Sequence, residues 1–241
     1  MGDMIEFSSG DIDARGYLAL PESGSGPGLI VVQEWWGLDD GIKGMADRFA
    51  AAGFVALVPD LYHGELAEHT EIDKAGELMQ SLPADRAARD MSGAVDFLAD
   101  HEAVTTDGLG VVGFCMGGMF TFVLAAERPD RIKAAVPFYG YPSGDDQPDY
   151  SRIEAVIRGH FAENDDFFGP DGAKELEDRL EAMGKDVMLA VHNDTGHAFM
   201  SPHDALDTYD EQLAEQIWPD VMKFLHQQLD PNPPEHVREE G

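Results

Sequence analysis

Gly113-Phe114-Cys115-Met116-Gly117-Gly118 holds the chain's single cysteine between glycines, directly after the apolar run 109–114 and just before a stretch, 117–127, with helical character. A thiol on so sharp a strand-to-helix turn stands above the sheet as a nucleophile. The flanking glycines are then required, because a Cβ at Gly113 or Gly117 would collide with adjoining backbone. Unpaired N–H groups and the dipole at a helix start favour the thiolate form of Cys115. The same groups, chiefly the N–H of Met116, can hold a developing oxyanion. A lone cysteine can equally be a small buried residue among packing glycines; the strand, turn and helix around this one favour the nucleophile.

A cysteine that attacks acyl groups needs an imidazole to carry positive charge and a carboxylate to orient it, found by position in the sheet and not by adjacency in the chain. Phe161-Ala162-Glu163-Asn164-Asp165-Asp166-Phe167 follows one predicted strand, and Thr195-Gly196-His197-Ala198-Phe199 follows another. The resulting order of nucleophile, acid and histidine is the order that this type of turn carries. The candidate triad is Cys115, Asp165 and His197, with Asp166 one residue away as the alternative acid. His160, His192 and His203 also lie nearby, but the first two fall in or at the edge of strand patterns, where packing or solvent exposure is the ordinary role. Glu34 comes directly after a buried apolar strand and before Trp35 and Trp36, on the same predicted rim. It could exchange a proton with the thiol, and the Trp35 N–H is a second oxyanion donor.

The elements that would position these residues alternate along the chain. Short strands over 4–8 and 14–20 make a small antiparallel pair, joined at Gly10 and Asp11. Continuous apolar runs at 29–32 and 54–58 read as strands covered on both faces, with a helical pattern over 41–52 between them. Helical patterns follow at 69–80 and 85–99, then strands at 109–114, 132–138, 155–161 and 187–191, with a helix over 172–183 between the last two. The final helical stretch, 205–229, contains Pro219, which should kink it or start a second helix. This alternation predicts an α/β fold: a mainly parallel, twisted sheet with helices on both faces, in one domain over 1–229. Residues 230–241 read as a frayed acidic tail. Ligands in such sheets bind beyond the carboxyl ends of the strands.

Composition narrows the setting. The chain has 241 residues, 43% of them hydrophobic, and no apolar run long enough to span a membrane. Acidic residues outnumber basic ones, 47 to 16, giving a formal net charge of −31, so nucleic acid and anionic membranes would be repelled. At about 1 M salt the screening length falls to about 3 Å, which reads the excess as adaptation to a salt-rich cytoplasm. One cysteine excludes an internal disulfide and a multi-cysteine metal cage, and residues 1–11 lack the basic and apolar regions of a signal peptide. The expectation is a cytoplasmic monomer or small homo-oligomer.

Gln33-Glu34-Trp35-Trp36-Gly37, Val58-Pro59-Asp60-Leu61-Tyr62-His63-Gly64, the cysteine turn and the segments around Asp165 and His197 together resemble the dienelactone hydrolases of the α/β-hydrolase fold, over roughly residues 4 to 228. The resemblance implies carboxymethylenebutenolidase-type opening of a lactone or ester through a thioester acyl-enzyme, with no metal or organic cofactor. By motif it makes Cys115 the nucleophile, His197 its partner, Asp165 the orienting acid and Glu34 the carboxylate that helps generate the thiolate, with Trp36 a candidate substrate contact. The family's best-known members hold a substrate carboxylate with arginines, one of them a few residues after the catalytic histidine; here Ala198-Phe199-Met200-Ser201-Pro202 carries no cation. The other arginine falls in a helical region where this chain offers Lys74, Arg86 and Arg89. A neutral ester or lactone is therefore also an expected substrate. The alternative, from another class, is a redox or ligand-binding module in which Cys115 is oxidised reversibly without cleaving a substrate.

Overall fold

The computed structural model describes residues 1–144 and 147–230. Among these, the chain begins with the expected hairpin, β1 (Asp3–Ser9) and β2 (Ile12–Ala19), and continues through β3 (Gly28–Val32), α1 (Asp40–Ala51), β4 (Val55–Pro59), α2 (Ile72–Ser81), α3 (Ala84–Ala99), β5 (Leu109–Phe114) and α4 (Met116–Glu127). The second half supplies β6 (Ile132–Phe138), a short 3-10 turn at Tyr150–Arg152, β7 (Val156–Asn164), α5 (Pro170–Ala182), β8 (Val187–Gly196) and α6 (Glu211–Leu229). The eight strands form one sheet in the order β1-β2-β4-β3-β5-β6-β7-β8. Pairing is antiparallel at β1–β2 and β2–β4 and parallel everywhere else, so only β2 runs against the others. The α/β architecture expected from the alternating pattern is the one observed.

Every residue of β3, β4 and β5 is buried, which is why these runs show no alternation. Successive side chains still point to opposite faces. Ile30 and Val32 enter a core built with Met91 and Leu98 of α3, Phe122 of α4 and Leu176 of α5. Leu29 and Val31 enter the other, built with Phe49 of α1 and Ile217 and Leu225 of α6. Each fully buried Leu, Ile, Val or Phe contributes about 1.5–3 kcal/mol, so the two-sided core is the principal stabilising term.

Several boundaries differ from expectation for local reasons. The helix expected over 41–52 starts at Asp40 because Asp39 caps it, accepting from the Ile42 N–H at 2.9 Å. The helix expected from 69 begins only at Ile72, and that expected over 172–183 starts at Pro170, the first helical position, where proline's missing N–H costs nothing. β7 and β8 run past their apolar cores, pairing Ala162 with His192 and Asn164 with Gly196 across a register shift. The last helix is not the 25-residue stretch of the pattern; residues 205–210 are turn and unstructured backbone, and Asp210 caps the start through the Leu213 N–H at 2.9 Å. Pro219 neither ends that helix nor starts another. Burial of Ala214, Ile217, Val221, Met222 and Leu225 against the sheet outweighs the cost of about 3 kcal/mol for an interior proline. The expected tail lies, from residue 231 on, outside the described residues. No described helix is long and apolar enough to cross a membrane.

Candidate active site

The parallel pairing sets the carboxyl ends of β3, β5, β6, β7 and β8 side by side, and each strand delivers a polar or reactive residue there. Glu34 follows β3, Cys115 follows β5, Tyr139 follows β6, Asp165 follows β7 and His197 follows β8. β5 lies between β3 and β6, so Cys115 is central in the row.

Cys115 is the N-cap of α4 and is held at φ 54°, ψ −117°, in the region of positive φ that a side chain rarely occupies. Its N–H donates to the Phe138 carbonyl at 3.1 Å, and its carbonyl accepts from the Gly118 N–H at 2.9 Å. The surrounding glycines are required by close approach. A Cβ on Gly113 would strike the Gly117 carbonyl, one on Gly117 would strike the Val32 carbonyl, and one on Gly140 would strike the Cys115 carbonyl. α4 is thereby seated against β3 and β6 with Met116 as its first residue, whose N–H has no carbonyl within the helix to receive it.

Of the two neighbouring carboxylates, Asp165 is the one that lies against His197. Asp165 is buried and its Oδ2 lies 2.8 Å from His197 Nδ1, while Asp166 is exposed. Asp165 Oδ1 accepts from the N–H groups of Phe167 and Phe168, each at 2.8 Å, so the loop after β7 folds around this carboxylate. Burial pushes the Asp165 carboxyl up, but the His197 ring and the two backbone donors more than reverse this, and its pKa is lowered. For His197, burial opposes the charged form; the charge on the Cys115 sulfur and the bonds from Asp165 and Cys115 overcome it and push the ring up to about 10. Tyr139, Phe167 and Phe168 pack around the imidazole with ring centroids 5.1, 4.9 and 5.8 Å away.

Glu34 is buried on the same rim. Its Oε1 accepts from Ser201 Oγ at 2.8 Å and lies 3.5 Å from the Tyr139 hydroxyl, and its Oε2 lies 3.2 Å from His203 Nε2. Tyr139 is fully enclosed; burial and then the Glu34 charge raise its hydroxyl well above 10, so it remains a proton donor. Its position φ of 36° is another sparsely populated backbone conformation on this rim.

The remaining candidates separate. Trp36 is 2% exposed and packs edge-on against His69 and His203, so its side chain belongs to the wall behind Glu34. Trp35 is only partly buried and faces Phe167, which is 56% exposed, at 6.0 Å between rings. Lys74 is exposed and pairs with Glu71 at 3.4 Å. Arg89 is exposed, with its aliphatic stem against the Gly10 turn of the first hairpin. Arg86 is the one of the three cations tied to the rim: it donates to the Leu61 carbonyl at 3.3 Å, next to Tyr62, whose hydroxyl reaches Met116 Sδ at 3.4 Å. Among the described residues no group of three or more His, Cys, Asp or Glu side chains is placed to hold a metal ion.

Sequence reasoning did not single out Tyr139, Ser201 or the aromatic side chains of Phe167 and Phe168. Tyr139 carried a usable signal, since it follows a buried strand just as Glu34 does. Ser201 and the engagement of His203 carried none, because both sit in a turn after β8 with no periodic pattern.

Comparison with known proteins agrees with this architecture. A family model described as the dienelactone hydrolase family matches residues 14–229. The protein called "Protein usf" of Aquifex pyrophilus is 37% identical to this chain over 235 residues, covering 95% of this chain and 100% of that one. A protein of Aquifex aeolicus named "Putative carboxymethylenebutenolidase" is 33% identical, covering 93% and 98%. A crystal structure of a "Putative Dienelactone Hydrolase" from Klebsiella pneumoniae superposes with a TM-score of 0.80 at 26% identity, covering 94% of this chain and 99% of the other.

Proposed function

The chain belongs to the dienelactone hydrolase family and is a carboxylic-ester hydrolase, and from that premise we propose that it opens a small lactone or ester through a thioester on Cys115. The observation that carries the reading is a buried set of three groups: Cys115 on its strained turn, the His197 ring that feels the sulfur's charge and hydrogen bond, and Asp165 2.8 Å from Nδ1 of that ring.

The Cys115 thiolate attacks the carbonyl carbon, forming a C–S bond while the carbonyl π pair moves onto oxygen. The N–H groups of Met116 and Trp35 receive that oxyanion. Collapse breaks the C–O bond to the leaving alkoxide, which takes the proton of the His197 imidazolium, and a thioester remains. Water then gives a proton to His197 and adds to the thioester carbon; the thiolate leaves and the acid product is released. Asp165 keeps the His197 Nδ1–H pointed away from the sulfur, so that Nε2 is the nitrogen that exchanges protons. Glu34 is the carboxylate that takes the proton of the resting thiol. The partly buried Trp35 and exposed Phe167 beside His197 give the substrate an apolar approach, which suits an uncharged acyl group.

Stopped-flow mixing with a 4-nitrophenyl ester and with a dienelactone tests the proposal. The expected result is a burst of one equivalent and an acyl mass on Cys115, both absent in Cys115→Ala. Turnover retained in Cys115→Ala would refute the mechanism.

A further inference from the structure

Glu34 is gripped by a second cluster that the reaction steps leave unused. Its Oε1 already carries the Ser201 hydroxyl at 2.8 Å and faces Tyr139, whereas Oε2 has His203 Nε2 at 3.2 Å. His203 Nδ1 accepts the Ala205 N–H at 3.2 Å, so the neutral ring carries its proton on Nε2, toward Glu34. The imidazole plane is set by His69, stacked on it at 3.8 Å between centroids and 27° between planes, with Trp36 edge-on to both. His69 is in turn tied by Nε2 to Asp39 Oδ2 at 2.6 Å, and the other Asp39 oxygen caps α1. Asp39, His69, His203 and Glu34 thus form a connected series from a helix N-terminus to the rim that holds Cys115.

We propose that His203 is a positioning residue that selects the pose of the Glu34 carboxylate by holding Oε2, while Ser201 and Tyr139 hold Oε1. The inference rests on the hydrolase reading, in which Glu34 takes the thiol proton. Without His203, Glu34 keeps its Oε1 anchor but is free to rotate about it, so the carboxylate is no longer held in one pose on the rim that carries Cys115.

The charged or titratable groups facing His203 are Glu34 after β3, Asp39 at the α1 cap, His69 in the loop before α2 and Asp204 in its own turn. Burial disfavours the imidazolium, but the bond and charge of Glu34, with Asp39 and Asp204, raise its pKa above the ordinary histidine value. The charged ring, favoured by these carboxylates, grips Glu34 more firmly than the neutral one.

Three variants decide it: His203→Ala and His203→Gln, each compared with the wild type by kcat, KM, the pH profile of kcat and the rate of Cys115 alkylation by iodoacetamide, and Cys115→Ala, compared by turnover alone. A glutamine amide can place an N–H near the Nε2 position but does not titrate. His203→Ala should lower kcat and the alkylation rate together by about 10- to 100-fold, the loss expected when a reacting group is mispositioned by about 1 Å, with KM nearly unchanged. His203→Gln should recover most of kcat and lose one ionisation from the alkaline limb, where deprotonation of His203 loosens its grip on Glu34. Wild-type kcat and pH profile in His203→Ala, or a His203→Gln as impaired as the alanine variant, would overturn the inference while leaving the hydrolase reading intact. Turnover retained in Cys115→Ala would overturn both. If His203→Ala does not fold, His203→Gln decides alone: the ionisation disappears from its profile, or the inference fails.

Discussion

Replacing Asp165 by asparagine separates the two jobs of that carboxylate. The Asn oxygen can keep both backbone bonds, those from Phe167 and Phe168 at 2.8 Å, so the loop after β7 should persist. The other atom becomes an NH2 facing His197 Nδ1, where the carboxylate oxygen lay at 2.8 Å. Two donors cannot face each other, so the ring must present a lone pair at Nδ1 and move its proton to Nε2, the nitrogen that has to accept one. The wrong tautomer costs about 10³- to 10⁴-fold in kcat, equivalent to about 4–5.5 kcal/mol of transition-state stabilisation. The loss in folding stability should be smaller, because two charge-assisted bonds become two neutral ones at about 1 kcal/mol each. Asp166→Asn, at an exposed neighbour, should leave kcat within about twofold of wild type, since solvated surface carboxylates contribute little. Ester hydrolysis across pH 6–9 together with thermal melts of both variants checks this. If Asp165→Asn kept a tenth of wild-type kcat, or if Asp166→Asn lost as much, the assignment of the orienting acid would be wrong.

Other perturbations have equally definite outcomes. His160 is held down to about 3, first by burial and then by His192 beside it at 3.1 Å, so the unfolded chain binds a proton below pH 6.5 that the folded chain refuses. Stability should be complete above that pH and decline by about 1.4 kcal/mol per unit below it, reaching about 2 kcal/mol at pH 5; urea melts at pH 7.5 and 5 should show the difference shrink in His160→Gln. Gly117→Ala drives a Cβ into the carbonyls of Val32 and Gln33 and should cost about 2–4 kcal/mol or prevent folding, whereas Gly76→Ala, on the open side of α2, should gain about 0.5–1 kcal/mol. Melts of the two proteins side by side test that contrast. With a formal charge of −31, self-repulsion should relax as KCl shortens the screening length from about 10 Å at 0.1 M to about 3 Å at 1 M, so the melting temperature should rise over that range; a flat or falling curve would remove the salt adaptation reading.

The wall around the candidate site is aromatic on one side and ionic on the other. Phe167, Phe168 and Tyr139 surround His197, while Ser201 and His203 hold Glu34. That division supports the proposed split of work, in which one imidazole would move protons to and from the substrate while a separate carboxylate would deal with the resting thiol.

What the sequence determined by itself is what local physics encodes. Apolar runs without alternation mark β3, β4 and β5 because strands buried on both faces need no polar side, and the glycines around Cys115 mark a turn that tolerates no Cβ. The order of Cys115, Asp165 and His197 was legible for the same reason, each lying just past the end of a predicted strand. The choice between Asp165 and Asp166 was not, because the polar ends of β7 and β8 extend through pairing with each other and not through any apolar pattern of their own. Nor was the grip on Glu34: residues 34, 139, 201 and 203 converge because β3 and β6 flank β5 in the sheet and the turn after β8 folds back across the rim. Helical period and turn chemistry act over a few residues, whereas strand order is decided by how both helical layers bury their apolar faces at once. Only the tertiary structure could therefore place His203 against Glu34.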